Sequence, residues 1–388
     1  MSHSSVADRS WVDLVDVPAS ARVLLVDGAR GGAAEALRGR AADVTVVAAA
    51  GAGTLPPDVG WDLVCLDRAE VRSLTPGFWQ AVRESGALVV VVGDTATSPI
   101  RVLDRLTRRD VTPRGARAAR GRARVRRELA GTGLPVRQAF GLIRSADAPA
   151  VAFDALAPSS LPAVLGATRG HVGGWRAAAL SAASRLPAER ALRVCPGWLV
   201  VAGGTGELDP HRVVGKVSNR DSEEIKLLRG DPVTSIERRH LVGRTGGEVS
   251  ALRELEAVGF DRSPRVVAEP TPYESRCTYM SGSTLSLERL RDDELVAWVG
   301  RAAAVLGEIQ ERTRHDDGTV LIHGDYWLGN LLISGDDVTG VVDWTEAARG
   351  SDAVDREFLV SSLDRYVTTD ALRGRLERAR DSALTSAS

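Results

Sequence analysis

The stretch Val320-Leu321-Ile322-His323-Gly324-Asp325-Tyr326-Trp327-Leu328-Gly329-Asn330-Leu331-Leu332-Ile333, followed by Gly340-Val341-Val342-Asp343-Trp344, constrains this chain more tightly than any other. Two apolar runs flank the polar turn Ser334-Gly335-Asp336-Asp337, the pattern of a β-hairpin. Asp325 and Asn330 lie on the loop that enters the hairpin and Asp343 lies at its exit, so closing it carries all three polar groups to one end. Taken singly, Asp325 reads as a turn residue, Asn330 as a cap and Asp343 as a solvated strand end. Together, two acids and an amide make an oxygen-rich site for a hard divalent cation. Mg²⁺ suits it, because that ion takes one or two carboxylates and completes its octahedron with phosphate and water.

The pattern His-Gly-Asp-x-x-x-x-Asn, with Asp-Trp thirteen residues after the Asn, resembles the catalytic loop and metal-binding aspartate of the aminoglycoside phosphotransferase and choline kinase group, relatives of the protein kinases. The step from Asp325 to Asn330 equals that in the kinase loop H-R-D-x-x-x-x-N. The resemblance implies ATP as phosphoryl donor. It implies that Asp325 orients the attacking hydroxyl and accepts its proton, and that Asn330 and Asp343 hold Mg²⁺ on the phosphates. His323 becomes a structural member of the loop. Gly324 stands where many protein kinases carry an arginine that reads a phosphorylated activation loop, which implies a small-molecule acceptor. Gly350 to Asp355 resembles the segment in which the family places a structural aspartate, here Asp355.

Of the 50 lysines and arginines only two are lysines, Lys216 and Lys226. A lysine kept against such drift toward arginine suggests a need for a compact ammonium. Val213-Val214-Gly215-Lys216-Val217 resembles the kinase V-A-I-K strand, whose lysine contacts the α- and β-phosphates, and Glu248 would be its ion-pair partner from the following helix. Lys226 is a rival, and the separation of 32 residues between Lys216 and Glu248 is long for the family. Gly203-Gly204-Thr205-Gly206 either offers N–H groups to phosphates or links two domains. Cys277 to Gly282 matches the interlobe hinge, which places Tyr279 and Met280 beside the adenine.

The first half alternates apolar runs, at Arg22–Val26, Val44–Val47, Asp62–Leu66 and Ala87–Val92, with helix-forming stretches. That order predicts right-handed crossovers and a parallel sheet covered on both faces. It resembles the class I S-adenosylmethionine-dependent methyltransferases over roughly residues 20 to 202. However, Leu25 stands at the acid position of the glycine turn, Asp27 and Ala29 replace two of its glycines, and Ala48 or a neighbour replaces the ribose-binding acid. S-adenosylmethionine (SAM) is therefore allowed by the resemblance and disfavoured by the residues, and a scaffold or acceptor-binding role is expected.

A net charge of −1 gives no whole-protein attraction to nucleic acid or membrane. Eleven arginines between Arg101 and Arg127 have no aromatic among them to stack on bases, and read as a solvated helix and loop. Apolar runs fall short of the ~20 residues that span a bilayer, and the start lacks a leader pattern, so a cytoplasmic protein is expected. Cys65, Cys195 and Cys277 form neither a disulfide framework nor a zinc motif.

The expected architecture is an α/β N-terminal doubly wound Rossmann-like domain, 1–203, followed by an α+β two-lobed protein-kinase-like domain, 204–388. Its N-lobe would span about 204–280 and its C-lobe about 281–388. The expected activity is ATP- and Mg²⁺-dependent O-phosphotransfer to a small hydroxylated molecule: a sugar, amino alcohol or glycosylated natural product. Two alternatives stand beside it: a SAM-dependent methyltransferase with a kinase-like appendage, and a non-catalytic nucleotide-binding assembly protein.

Overall fold

The computed structural model describes residues 11–26, 33–48, 60–67, 74–94, 122–143, 149–168, 187–193, 195–219, 224–241, 246–285 and 287–387. The chain divides into two compact units, 1–234 and 235–388.

In the first unit the apolar runs become strands β1 (Arg22–Val26), β2 (Asp43–Val47), β3 (Leu63–Asp67) and β4 (Leu88–Asp94), with helices α1 (Ala33–Arg38) and α2 (Pro76–Ser85) between them. Thr75 caps α2 by accepting from Phe78 N–H, Pro76 occupies its first turn, and Gly86 ends it in the left-handed region. Strands β2-β1-β3-β4 pair in parallel, as expected. The rest of the sheet departs from the doubly wound parallel form.

After helix α3 (Arg122–Gly131) come β5 (Val136–Ile143), β6 (Val151–Asp154), helix α4 (Ser160–Thr168), β7 (Gly197–Gly203), β8 (Val213–Asn219) and β9 (Glu224–Arg229). Here β7 runs antiparallel to β4, and β5, β6, β8 and β9 continue the sheet with antiparallel pairings. A strand buried on both faces shows a continuous apolar run whichever way its neighbour points, so the sequence pattern could not separate the two cases. Trp198 packs with Phe78, Trp79 and Val82 in one core of this unit.

Two expectations meet this sheet. Gly203 and Gly204 donate their N–H groups to the carbonyls of Pro135 and Ala87, and Arg137 donates to the carbonyls of Gly204 and Gly206. The glycine step therefore lies inside the first unit, with its first two amides already used by the backbone. The division of the chain falls instead after β9. The methyltransferase-turn positions Asp27 and Ala29, and the basic run as far as residue 121, lie outside the described residues.

The second unit begins with β10 (Ser235–His240) and helix α5 (Gly246–Ala257), then β11 (Val266–Thr271) and β12 (Glu274–Thr278), which pair antiparallel in the order β11-β12-β10. The long helix α6 (Asp292–Arg312) carries Asp292, Asp293 and Glu294 in its first turn, where the helix dipole favours negative charge, and Glu294 accepts from the backbone N–H of Arg291. Its stripe of Leu295, Trp298, Val299, Ala302, Ala303, Leu306 and Ile309 is buried, at the spacing of one helix face.

Beyond it lie β13 (Val320–Ile322), the hairpin β14 (Leu331–Ser334) and β15 (Asp337–Val341), β16 (Ala348–Gly350), helix α7 (Ala353–Ser361) and helix α8 (Asp370–Ala387). Leu372 and Leu376 of α8 join the stripe of α6 in a core that also takes in Tyr326, Leu328, Val341 and Trp344. The loops on either side of the hairpin are thereby anchored from beneath. Among the described residues no helix is long and apolar enough to cross a membrane.

Candidate active site

The loop between β13 and the hairpin is shaped by a buried carboxylate. Asp355, in the first turn of α7 and fully buried, accepts from His323 N–H at 2.6 Å and from Gly324 N–H at 3.0 Å. Burial raises its pKa while the two amides oppose the shift. Gly324 has a φ of 81°, and a Cβ there would sit 2.5 Å from the carbonyl oxygen of Glu346, so only glycine fits.

His323 is 1% exposed and lies 4.5 Å, centroid to centroid, from the ring of Trp344. Its Nδ1 accepts from Asp325 N–H at 3.3 Å and its Nε2 meets the carbonyl of Val342 at 3.0 Å, which together set the Nε2–H tautomer. Desolvation lowers its pKa to about 4, leaving a neutral imidazole at ordinary pH. This is the structural histidine expected, and it staples the loop before the hairpin to the strand end after it.

Above this frame stand the three polar groups. Asn330 Nδ2 donates at 2.9 Å both to the backbone carbonyl of Asp325 and to its Oδ2. The amide nitrogen is thus committed to Asp325, leaving the carbonyl Oδ1 as the end of Asn330 that can take a cation. The hairpin closes as expected, β14 pairing with β15, and Val342 N–H donates to the carbonyl of Asn330 at 3.0 Å.

The next residue, Asp343, adopts a φ of 71°, the left-handed region that costs a non-glycine residue about 1–3 kcal/mol. Trp344, buried with its Nε1–H on the carbonyl of Val341, holds the chain beyond that turn. Burial raises the pKa of Asp325, opposed by Asn330 and reinforced by the charges of Asp343 and Glu346. Asp325, Asn330 and Asp343 therefore converge at one mouth of one hairpin.

Tyr279 and Met280 follow β12 directly, both half-buried, and burial raises the Tyr279 pKa. This segment runs against the hairpin. Ser283 and Ile333 exchange both backbone hydrogen bonds, and the Met280 methyl lies 3.0 Å from where a Cβ on Gly340 would be.

Lys216 and Glu248, expected as a pair, fall in different units of the chain, and each has an ion pair within its own unit. Strand β8 pairs with β6, which places Lys216 Nζ in the first unit 2.6 Å from Asp13 Oδ2 with its side chain fully buried, and Arg40 shares that carboxylate. Lys226 lies 3.2 Å from Glu224. Glu248, in the first turn of α5, is 3.0 Å from Nη1 of Arg238, and the same nitrogen is 3.1 Å from Asp343 Oδ1. Sequence reasoning missed Arg238. The available signal was position, since it lies on the strand that directly precedes the Glu248 helix.

For a cation, the donor set fits Mg²⁺. Among the described residues no cluster of three His, Cys, Asp or Glu forms a closed cage. One carboxylate and one amide oxygen, with Asp325 beside them, make the open kind of site that Mg²⁺ completes with phosphate oxygens and water.

A model of the phosphotransferase enzyme family matches residues 101–383, well over half of the chain. The chain belongs to the phosphotransferase enzyme family. The family match starts inside the region that resembles a methyltransferase and takes in its second half, so the methyltransferase-like reading of that half gives way. No curated protein matches this chain.

Among solved structures, this family member is similar to a streptomycin–ATP–APH(2″)-IIa ternary complex, with 13% identity and TM-score 0.34, over 44% of this chain and 80% of that one. It is similar to the macrolide 2′-phosphotransferase MphH from Brachybacterium faecium, with 14% identity and TM-score 0.31, over 42% and 78%. It is also similar to a choline/ethanolamine kinase family protein from Mesorhizobium loti, with 16% identity and TM-score 0.32, over 46% and 70%.

Proposed function

We propose that this protein transfers the γ-phosphoryl group of ATP to a hydroxyl of a small molecule. The observation that carries the reading is the two-point grip of Asn330 on Asp325 with Asp343 at the same hairpin mouth. Asn330 holds Oδ2 of Asp325, which turns the remaining oxygen to an incoming hydroxyl. The hydroxyl oxygen bonds the γ-phosphorus, the bond from that phosphorus to the bridging oxygen breaks, ADP leaves, and the hydroxyl proton passes to Asp325. A loose transition state asks little covalent work of the protein, so alignment and charge neutralisation supply most of the rate.

Asn330 Oδ1 and the Asp343 carboxylate are the groups that would hold Mg²⁺, which when bound neutralises charge on the phosphate oxygens. Tyr279 and Met280 would lie beside the adenine, on the segment packed against the hairpin. Gly324 favours a small acceptor, because its backbone has no room for the arginine that reads a phosphorylated loop in protein kinases.

The test is a panel of sugars, amino alcohols and glycosylated natural products, scored for acceptor-dependent ADP release and for a product heavier by one phosphate. Asp325→Ala should abolish turnover and keep the fold. Retained turnover in that variant, or wild-type protein that binds no Mg·ATP in calorimetry, overturns the reading.

A further inference from the structure

We infer that Arg238 is the phosphate-binding cation of this site, in the place where the V-A-I-K pattern puts a lysine. The inference rests on the phosphotransferase reading and assigns one of its parts to a residue and a chemistry that the sequence motif does not name.

Strand β10 directly precedes α5, and Arg238 lies opposite Ser275 in the β10–β12 pairing, on the strand that leads into Tyr279 and Met280. Its guanidinium is largely buried, with 8% of the side chain exposed, and one nitrogen reaches both Glu248 and Asp343. Arg238 therefore stands between the segment proposed for the base and the aspartate proposed for the metal. That is the stretch an α/β-phosphate must cross. Glu248 acts as a positioning residue that holds the fork.

An arginine here behaves differently from a lysine. Its five donors lie in a plane, so it can serve two carboxylates and a phosphate oxygen together, and it does not lose its proton at any working pH. Both lysines of the chain lie in the first unit, each beside a carboxylate of that unit, Asp13 or Glu224.

An acyl-phosphate derivative of ATP tests the assignment. A lysine amine beside the phosphates attacks the acyl carbon and forms an amide, releasing ATP and a proton, whereas a guanidinium stays unmodified. Wild-type protein should show no ATP-protected acylation at Lys216 or Lys226. Arg238→Lys should acquire acylation at position 238 that excess ATP blocks, a gain that a merely structural arginine would not produce. In calorimetry Arg238→Met should bind Mg·ADP on the order of tenfold more weakly, the loss of one charge-assisted hydrogen bond.

ATP-protected acylation of Lys216 or Lys226 in the wild type overturns the assignment, as does an Arg238→Lys variant that binds Mg·ADP and stays unlabelled. Wild-type protein that binds neither Mg·ATP nor Mg·ADP removes the phosphotransferase reading along with it. Wild-type binding that Arg238→Met leaves unchanged removes this assignment alone.

Discussion

Asn330 holds Asp325 twice, its Nδ2 lying 2.9 Å from both the backbone carbonyl and Oδ2 of the aspartate. The grip couples the carboxylate proposed to receive a proton to the amide proposed to hold a cation, and it leaves one oxygen of Asp325 outside the bond to Asn330. Because burial and the charges of Asp343 and Glu346 raise the Asp325 pKa, the acid limb of kcat/KM should fall at a higher pH than a solvated aspartate would give. Glu346 is exposed, so Glu346→Gln should move that limb to lower pH with little change in the plateau rate. A pH–rate profile whose acid limb does not move would show that Asp325 does not set it.

Asp343 combines the carboxylate proposed to hold Mg²⁺ with a backbone conformation that suits glycine. Asp343→Gly and Asp343→Ala should both lose Mg·ATP binding, while the glycine variant is the more stable by about 1 kcal/mol, since it alone relieves the positive φ. Urea unfolding ranks the two variants and calorimetry reads the binding. An alanine variant as stable as the glycine one would mean the turn carries no strain.

The buried imidazole of His323 makes stability depend on pH in a definite direction. Its folded-state pKa of about 4 lies below the ordinary 6.5, so the unfolded chain binds more protons between those values. The stabilisation is fully present above pH 6.5 and is lost as pH falls toward 4, up to about 3 kcal/mol. Melting His323→Gln alongside the wild type across this range isolates the effect, because other acid-sensitive groups are common to both. The wild type's advantage should shrink on acidification, and a constant difference would count against a neutral buried histidine.

Asp13 should matter to folding. Its carboxylate serves both Lys216 and Arg40 inside the first unit, and removing one member of a buried ionic cluster typically costs about 3–5 kcal/mol. Asp13→Ala should therefore unfold at markedly lower urea, whereas a paired Asp13→Leu/Lys216→Met change should recover much of the loss. Mg·ATP affinity should be unaffected in the paired variant. A large fall in affinity there would return Lys216 to the nucleotide site.

The geometry of the hairpin was legible in the residues alone, because Asp325, Asn330 and Asp343 fall within nineteen positions of one another and a single local turn brings their ends together. Helix α6 is likewise set by local features, its acidic first turn and its apolar stripe. What lay beyond the sequence is set by partners far apart along it. Whether β7 runs with or against β4 depends on how a distant segment returns to the sheet, and an apolar strand carries no mark of direction. Arg238 meets Asp343 across 105 residues, through the pairing of β10 with β12 and the docking of α5. The lysine that matched a motif sits on a strand claimed by the first unit's sheet, and its charge is bound there. Short-range geometry assembled the two carboxylates and the amide, whereas long-range packing decided that the Arg238 guanidinium stands beside Asp343.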